Sequence, residues 1–367
     1  MDTTDRQIRF DGEGVCNHCK DYAVVQARQI QSPEAVREEF DELVRKIKQE
    51  GEAKEHDCII GLSGGVDSTY LAYILVKEYG LRPLGIHLDN GWDSKLAVKN
   101  IHNVVARLDI DLYTYVIDWE EFKDIQIAYF KASVLDIEAI TDHAILAVLY
   151  QMAHVNDLKY ILSGANKRTE RILPKSWAFN KNDLKNLKGI HKEFGTEALK
   201  TFPQMGFKKL LHYKKRQKIR MLAPLDYLRY EKNEAKKIIT RELKWEDYGG
   251  KHHESVFTRF YQGYILPRKF NIDKRKAHLS SLINCGQMTR AEALDELKNS
   301  TYPVELQRQD YDYVIKKLGF SKEEFEKIMN LPVKSHFDYP TDIWSKIDRK
   351  CISPTSLLRR LIVRHRY

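Results

Sequence analysis

The chain has few cysteines for its length, and they are too sparse for a disulfide framework. Five cysteines occur in 367 residues, namely Cys16, Cys19, Cys58, Cys285 and Cys351. An odd and scattered set favours reduced thiols over structural disulfides. The sequence also has no apolar run near the roughly 18 residues that a membrane-spanning helix needs, and no apolar core of a signal peptide near its first residues. We therefore expect a cytoplasmic protein without a transmembrane segment.

Internal repeats and low-complexity tracts are absent as well, which excludes solenoid and collagen-like classes. Charged residues make up 31% of the sequence and apolar residues 43%, as in a globular protein rather than a disordered chain. The formal net charge of +9 permits anionic partners such as nucleotides, nucleic acid or an acidic subunit. Charge alone does not choose among them.

What the sequence does contain, from Asp57 onward, is short apolar runs alternating with helical stretches. Strands are predicted at CIIGL, PLGIHL, LYTYVI and KYILSG, and helices at 68–79, at 94–108 and twice across 119–156. This order predicts an α/β fold with a doubly wound parallel sheet, whose ligands bind at the carboxyl ends of the strands.

The remainder of the chain is predicted to surround this α/β unit. Residues 1–22 look irregular, and residues 33–50 form an amphipathic helix that begins at a Ser-Pro signal. Strand signals thin out beyond Ala165. We divide the chain into an N-terminal leader at 1–50, the α/β domain at 51–245 and a smaller α-helical C-terminal domain at 246–367.

The most informative motif is Ser63-Gly64-Gly65-Val66-Asp67-Ser68, between the first strand and the first helix of the α/β domain. Two glycines let the backbone approach a ligand closely, and the following helix offers unpaired N–H groups and its positive dipole end. Ser63 and Ser68 add hydroxyl donors. A glycine-serine turn without a ligand is the alternative. Because no GxxxxGK[ST] lysine is present, this is not the loop of enzymes that transfer the γ-phosphate.

SGGVDS after the first strand resembles the signature of the PP-loop ATP pyrophosphatases, which have an adenine nucleotide alpha hydrolase-like fold. This group includes asparagine synthetase, GMP synthetase, argininosuccinate synthetase and the tRNA lysidine synthetases and thiolases. Such enzymes cleave ATP between the α and β phosphates. Two further stretches are similar to the family: His87-Leu88-Asp89-Asn90-Gly91, and Pro224-Leu225-Asp226 followed by Lys232-Asn233-Glu234.

Within that group the chain more closely resembles the N-acetyl sugar amidotransferases of O-antigen and flagellar glycan pathways. The resemblance spans about residues 2–345. It is carried by IRFDGEGVCNHC, IIGLSGGVDSTYLAY, LDNGWDSKLAVKNI, FKASVLDIEAITDHAI, ILSGANKRTE, APLDYLRYEKNEA, YGGKHHESVFTRFYQGYILPRKF and INCGQMTRAEAL. Members of this family begin with a C-x-x-C pair just before an MDTTD-like segment, which this chain lacks. Either the start is internal or that pair is lost.

The resemblance implies an ATP-dependent ligase of surface polysaccharide biosynthesis that uses ATP and Mg²⁺. An N-acetyl group on a nucleotide-activated sugar would become an acetamidino group through an O-adenylated imidate and ammonia. A UDP-linked diacetamido-uronic acid is our preferred substrate over a CMP-linked nonulosonic acid. No glutaminase signature is present, so the resemblance implies separate glutaminase and ammonia-channelling subunits, similar to the two halves of imidazole glycerol phosphate synthase. The alternative is a tRNA-modifying enzyme with the same loop, although we expect no nucleic-acid partner because no tRNA-binding module is recognisable.

Charged residues near the strand ends are candidates for the catalytic work. Asp67 and Asp89 offer carboxylates for Mg²⁺, and Lys167 and Arg168 offer donors to the phosphates. The structural alternatives are a cap or loop brace for Asp67 and a solvated surface for the two cations. Ser163-Gly164-Ala165-Asn166 ends another predicted strand, so Gly164 and Asn166 are expected to contact the nucleotide or the amide.

The segment Asp136–His143 places three carboxylates and a histidine at the start of an apolar helix. In one interpretation Asp142 and His143 handle substrate or ammonia, with His143 accepting a proton as the amidine forms. In the other, Asp142 or Thr141 caps the helix.

Cys16 and Cys19 have the C-x-x-C spacing of half a zinc knuckle, in a loop that contains glycine. The remaining ligands are open, with Cys285, His252 and His253 as the candidates. A metal-free thiol pair and a redox pair are the alternatives to zinc. Cys58 is predicted to be buried in a strand.

Overall fold

A computed structural model describes residues 1–343 and residue 345 of the chain. Its centre is a five-stranded, entirely parallel sheet with the strand order β3-β2-β1-β4-β5. The strands are β1 (Cys58–Gly61), β2 (Pro83–Asp89), β3 (Leu112–Val116), β4 (Tyr160–Leu162) and β5 (Arg220–Leu222). Because the chain winds outward from β1 in both directions, the order reverses between β1 and β4.

Sixteen α-helices lie in the described part of the chain. They are α1 (Asn17–Gln31), α2 (Pro33–Gly51), α3 (Val66–Tyr73), α4 (Lys95–Leu108), α5 (Trp119–Ala132), α6 (Ala139–Val155), α7 (Lys167–Glu170), α8 (Leu184–Phe194), α9 (Phe207–Lys215), α10 (Lys232–Leu243), α11 (Val256–Phe260), α12 (Leu266–Phe270), α13 (Arg275–Asn284), α14 (Arg290–Glu296), α15 (Val304–Leu318) and α16 (Lys322–Met329). Two π-helical turns, Ile74–Glu78 and Tyr261–Ile265, continue α3 and α11, and short 3₁₀ turns occur at Lys175–Trp177, Pro224–Asp226 and His336–Asp338.

The central strand explains why helices cover both faces of the sheet. Successive side chains of a strand point to opposite faces, and in β1 Cys58 and Ile60 pack with α2, α3 and α10, whereas Ile59 packs with α6 and α9. All three side chains are fully buried. A parallel sheet buried on both faces produces a continuous apolar run of this kind.

A third cluster of buried apolar side chains joins α5 to the helices that follow residue 255. It is rich in aromatic rings, including Phe130, Phe257, Phe260 and Phe325. None of the helices in the described part of the chain combines the length and the apolar character of a membrane span.

The predicted α/β fold is confirmed: the four expected strands, the amphipathic helix over 33–50 and the helical C-terminal region are present within the described residues. Several elements were not predicted. Part of the leader predicted to be irregular forms α1, β5 extends the sheet beyond Ala165, and the helices α7 to α10 lie between Ala165 and the predicted C-terminal domain. Residue 344 and residues 346–367 of the predicted C-terminal domain, including Cys351, lie outside the described residues. The division of the chain into domains stays a prediction.

Candidate functional site

The loops that follow β1 and β4 meet at the point where the strand order reverses. These strands are neighbours in the sheet, so their carboxyl ends open on the same edge. The backbones of the two loops touch at Gly164, where a Cβ would lie 2.9 Å from the amide nitrogen of Ser68 and 3.0 Å from the carbonyl carbon of Asp67. Only glycine allows this approach. The structure thus brings together the predicted residues Ser63, Gly64, Gly65, Asp67, Ser68 and Gly164.

The first loop has the conformation of an anion-binding turn. Gly64 has a φ of +75°, and a Cβ there would lie 2.7 Å from the carbonyl oxygen of Ala97. The indole nitrogen of Trp245 donates a hydrogen bond to the Gly64 carbonyl oxygen at 2.9 Å, which fixes the turn. Gly65 is the N-cap of α3 and offers no side chain to its first turn. The helix start therefore presents backbone N–H groups at this edge of the sheet.

Hydroxyl groups surround these backbone donors. Ser63 Oγ and Ser68 Oγ are 3.1 Å apart, and Ser68 Oγ also donates to the Gly65 carbonyl oxygen at 3.2 Å. The Tyr248 hydroxyl accepts a hydrogen bond from the Val66 N–H at 3.2 Å. The two serine hydroxyls can exchange their internal partners for a phosphate oxygen, since serine both donates and accepts.

Asp67 lies at the base of this loop, next to a second carboxylate. The Tyr230 hydroxyl donates a hydrogen bond to Asp67 Oδ1. Burial and the neighbouring Glu170 carboxylate raise the pKa of Asp67, while Lys232 acts in the opposite direction. Repulsion between two such carboxylates favours either protonation of one of them or a positive charge close by.

Glu170, at the end of α7, is the more acidic member of this pair. Burial opposes its ionisation, but the ammonium of Lys251, 2.7 Å from Glu170 Oε1, together with His252 lowers the pKa of Glu170 to about 2. Burial lowers the pKa of Lys232, at the start of α10. Two lysines and two carboxylates thus share the space behind the phosphate loop.

Asn166 and Lys167 start α7 in the second loop. Asn166 caps the helix, because its Oδ1 accepts the Thr169 N–H at 2.7 Å, and its buried Nδ2 has no hydrogen-bond partner among the described residues. Lys167 forms an ion pair with Asp226 at 3.1 Å, and Arg168 forms one with Glu231 at 2.7 Å. The alternative in which both cations lie on a solvated surface is therefore wrong, because both side chains link α7 to the segment after β5.

Asp89 lies at the end of β2, and its Oδ1 accepts the Gly91 N–H at 2.8 Å, which stabilises a turn. The side chain that links β2 to the phosphate loop is instead His87. Its Nδ1 is 2.9 Å from the carbonyl oxygen of Leu62, the residue before Ser63, and its Nε2 is 3.0 Å from Asp93. Burial acts against charging this ring, but the Asp93 carboxylate outweighs it and raises the pKa of His87.

The segment around His143 differs from both of its predicted roles. Helix α6 begins at Ala139 with Glu138 as its N-cap, so Thr141 and Asp142 lie inside the first turn and the predicted cap is wrong. His143 is buried, its Nδ1 is 2.7 Å from the Lys181 carbonyl oxygen, and its Nε2 accepts the Met205 N–H at 3.1 Å. Both ring nitrogens are occupied, and burial lowers the pKa of His143.

Asp142 lies 3.1 Å from the Lys181 ammonium, which is 2.6 Å from the buried Asp136. The contacts of Asp142 and His143 within the described residues hold the two ends of segment 179–205, which contains α8, against α6. The role of these residues in handling ammonia stays a prediction, and this geometry does not support it.

Cys16 and Cys19 lie with their sulfur atoms 3.5 Å apart, at the start of α1. Among residues 1–343 and 345, no group of three or more ligating side chains at metal-binding distance includes either cysteine. His252 instead lies 3.4 Å from Glu254. The zinc site therefore stays a prediction, with two thiols in place and no further ligand beside them in the described residues.

Four residues of the site were not assigned this place from the sequence: Glu170, Lys232, Lys251 and Glu254. The stretches that contain them were noted, but as marks of resemblance, or for the histidines of GGKHHES as zinc ligands. The local signal among them is the position of Glu170 shortly after the predicted strand KYILSG, where ligand contacts concentrate. Lys232, Lys251 and Glu254 follow no predicted strand.

Two family models match separate parts of the chain. Residues 36–202 match NAD synthase, and residues 254–350 match the C-terminal domain of WbpG-like LPS biosynthesis proteins. The chain is 24% identical over 310 residues to the uncharacterized protein MJ1599 of Methanocaldococcus jannaschii, covering 83% of this chain and 92% of that protein. It is 37% identical over 68 residues to the tRNA(Ile)-lysidine synthase of Chlamydia pneumoniae, covering 18% of this chain and 21% of that protein.

Among solved structures, the NH3-dependent NAD synthetase of Campylobacter jejuni is 13% identical, with a TM-score of 0.34, covering 76% of this chain and 96% of that chain. The NAD synthase match covers the phosphate loop, and the parallel five-stranded sheet with helices on both faces has the PP-loop fold. The site is therefore that of an ATP-utilising PP-loop enzyme of the ligase type.

Proposed function

We propose that this chain, which belongs to the N-acetyl sugar amidotransferase-like PP-loop proteins, converts an N-acetyl group of a nucleotide-activated sugar to an acetamidino group in surface polysaccharide biosynthesis. The preferred substrate is a UDP-linked diacetamido-uronic acid. One observation carries the proposal. The segment that opens the WbpG-like match lies on the phosphate loop of the NAD synthase-like part, since Glu254 Oε1 is 3.5 Å from the position of a Cβ on Gly65.

The chemistry follows from the weakness of an amide as an electrophile. The amide oxygen attacks the α-phosphorus of ATP, the α–β bond breaks, and pyrophosphate leaves with the electron pair. The adenylated imidate then carries a good leaving group on the acetamido carbon. Ammonia attacks that carbon, the C–O bond to AMP breaks, and an amidine forms. Positioning of the two reactants supplies a large part of such rate enhancements.

The phosphate loop is suited to hold the departing pyrophosphate. The first turn of α3, the hydroxyls of Ser63 and Ser68 and the glycine backbone supply uncharged hydrogen-bond donors. The Lys232 ammonium, which interacts with Asp67 and Glu170, supplies a positive charge behind the loop. Asn166 Nδ2 offers a further donor that no described residue uses.

Asp67 and Glu170 are the residues that fit a divalent cation. They are neighbouring carboxylates at the phosphate loop, and hard oxygen ligands of this type suit Mg²⁺. When bound, Mg²⁺ would neutralise charge on the phosphates and polarise them. In the structure, the Lys251 ammonium neutralises the charge of the Glu170 carboxylate.

The ammonia source is a further part of the proposal. We infer separate glutaminase and ammonia-channelling subunits, because the sequence has no glutaminase signature of its own. The isolated protein should then fail with glutamine and work with high ammonium salt. Activity on glutamine alone would contradict this.

The substrate class is tested by following AMP and pyrophosphate release with ammonium chloride, in parallel reactions with UDP-diacetamido-uronic acids, CMP-nonulosonic acids and bulk tRNA. We expect release with the UDP-sugars. Release with tRNA alone would favour the alternative enzyme class, for which the short match to a tRNA(Ile)-lysidine synthase is the supporting observation.

A further inference from the structure

Glu254 projects over the phosphate loop from a segment that does not belong to the sheet. Its backbone is fixed by three contacts with the loop after β2: the Glu254 carbonyl oxygen accepts the Ser94 N–H at 2.8 Å, Asp93 and Ser255 form an antiparallel bridge, and Val256 N–H donates to the Trp92 carbonyl oxygen at 2.8 Å. One carboxylate oxygen, Oε1, lies 3.5 Å from the position of a Cβ on Gly65. The carboxylate is therefore held at the site by backbone that is itself ordered.

The second oxygen of this carboxylate is buried without a partner. Glu254 Oε2 has no hydrogen bond to any of the described residues, and Oε1 has only a long contact of 3.4 Å with His252 Nδ1. Burial opposes ionisation of the Glu254 carboxyl, but the neighbouring His252 outweighs it and lowers the pKa of Glu254. The carboxyl is therefore ionised at neutral pH. A buried carboxylate oxygen without a donor is costly to a protein, which points to a ligand that supplies one.

A small cation with N–H donors fits this position, because it supplies both the missing donor and a positive charge beside the triphosphate of ATP. The charged and titratable groups that face Glu254 are His252, His253, Tyr248 and Lys232. Of these only His252 donates to the carboxylate. Ammonium carries four N–H donors and fits beside a single free oxygen.

We propose that Glu254 binds the ammonium ion and removes one of its protons, so that neutral ammonia attacks the adenylated amide. This inference rests on the proposed function and names the ammonia site within it. One proton of NH₄⁺ passes to a Glu254 oxygen, and the freed nitrogen lone pair forms the C–N bond at the acetamido carbon. The C–O bond to AMP breaks and its electron pair leaves on AMP. The amidine keeps the remaining protons as an amidinium, and Glu254 releases its proton to water.

The test separates adenylation from amidination. Exchange of labelled pyrophosphate into ATP, measured with the sugar nucleotide and without ammonia, reports on adenylation alone. Amidine formation against ammonium concentration reports on the second step. For Glu254→Gln we expect exchange within about twofold of wild type, together with an amidination rate at least about tenfold lower, because glutamine cannot take up the proton, and a raised KM for ammonium.

Glu246→Gln is the matched control. Glu246 lies in the same segment, and its exposed carboxylate pairs only with Lys99 among the described residues. It should behave as wild type in both assays. Hydroxylamine, which is largely unprotonated at neutral pH, should restore product formation by Glu254→Gln, because this nucleophile needs no proton acceptor.

Three outcomes would overturn the proposal. Loss of exchange by Glu254→Gln would place Glu254 on ATP or Mg²⁺ instead. An unchanged KM and rate with ammonium would leave it without a role in amidination. Failure of hydroxylamine to restore the reaction would indicate lost positioning rather than a lost base. Absence of exchange in the wild-type protein would, by contrast, contradict the proposed function itself, and the ammonia site with it.

Discussion

The hydroxyl of Tyr248 accepts the backbone N–H of Val66, in the first turn of α3, at 3.2 Å. That N–H is one of the donors that a phosphate group would use at this helix start. Tyr248 thus occupies part of the phosphate position with an internal group, and Trp245, three residues earlier, packs edge-on against its ring at 5.4 Å while holding the Gly64 carbonyl oxygen. The segment from Trp245 to Glu254 lies over the loop.

Removal of the Tyr248 hydroxyl should therefore tighten nucleotide binding. Tyr248→Phe frees the Val66 N–H, and a competing hydrogen bond is worth about 1 kcal/mol, or roughly fivefold in affinity. Isothermal titration with ATP measures this effect. Tyr113→Phe, on the exposed strand β3, is the control and should bind as wild type does. Weaker binding by Tyr248→Phe would indicate that the hydroxyl contacts ATP directly.

The contact between the two loops predicts a strong effect of one methyl group. A Cβ at Gly164 would lie 2.9 Å from backbone of the phosphate loop, so Gly164→Ala must push the loops apart. Such overpacking costs about 1–3 kcal/mol, so we expect the ATP affinity to fall by roughly 5- to 150-fold, with the fold retained by circular dichroism. Gly12→Ala has no atom within 4 Å of its added Cβ and is the matched control. Equal affinities of the two variants would contradict the described packing.

The sequence was sufficient to predict four of the five strands and the phosphate loop, because strand β1, Gly64-Gly65 and α3 are adjacent along the chain and each obeys local rules. It was insufficient for Glu170, Lys232 and Glu254, which reach the loop from three separate segments. Their convergence depends on how those segments pack, and no local pattern contains that information. His143 shows the converse: a histidine beside carboxylates suggested chemistry, whereas its environment is a buried hydrogen-bond pair.

That buried pair predicts a structural role for His143. His143→Ala leaves the Met205 N–H and the Lys181 carbonyl oxygen without their partner, at about 1–3 kcal/mol for each. Chemical denaturation should show this loss, while the amidination rate per folded molecule at saturating ammonium stays at the wild-type value. His154→Ala, exposed on the same helix, should change the free energy of unfolding by less than about 0.5 kcal/mol. A fall in rate with unchanged stability would restore the catalytic interpretation.

The buried ion pair of Asp136 and Lys181 predicts a pH dependence of stability. Burial opposes ionisation, but the Lys181 ammonium at 2.6 Å outweighs it and lowers the pKa of Asp136. A carboxyl with a lowered folded-state pKa stabilises above its unfolded pKa of about 3.9, and this contribution is lost as the pH falls through the folded value.

Asp136→Asn should accordingly lower the free energy of unfolding at pH 7 by about 1.5–3 kcal/mol, because it removes the buried, charged partner of Lys181 and leaves Asp142 as the remaining carboxylate beside this lysine. The difference from wild type should shrink below about pH 4, as the wild-type carboxyl begins to take up its proton. Asp295→Asn, which removes an exposed pair with Lys298, serves as the control at both pH values. A difference that is constant with pH would show that Asp136 is not ionised in the folded protein.

In the proposed reaction, the loop around Gly65 holds the outer two phosphates of ATP while an adenylyl group passes to the amide oxygen. A sugar nucleotide with a heavy oxygen isotope in its acetamido carbonyl tests this directly, with ammonium as the nitrogen source and mass spectrometry of the products. The label should appear in AMP, alongside unlabelled pyrophosphate. Label in inorganic phosphate, with ADP as the other product, would contradict the account.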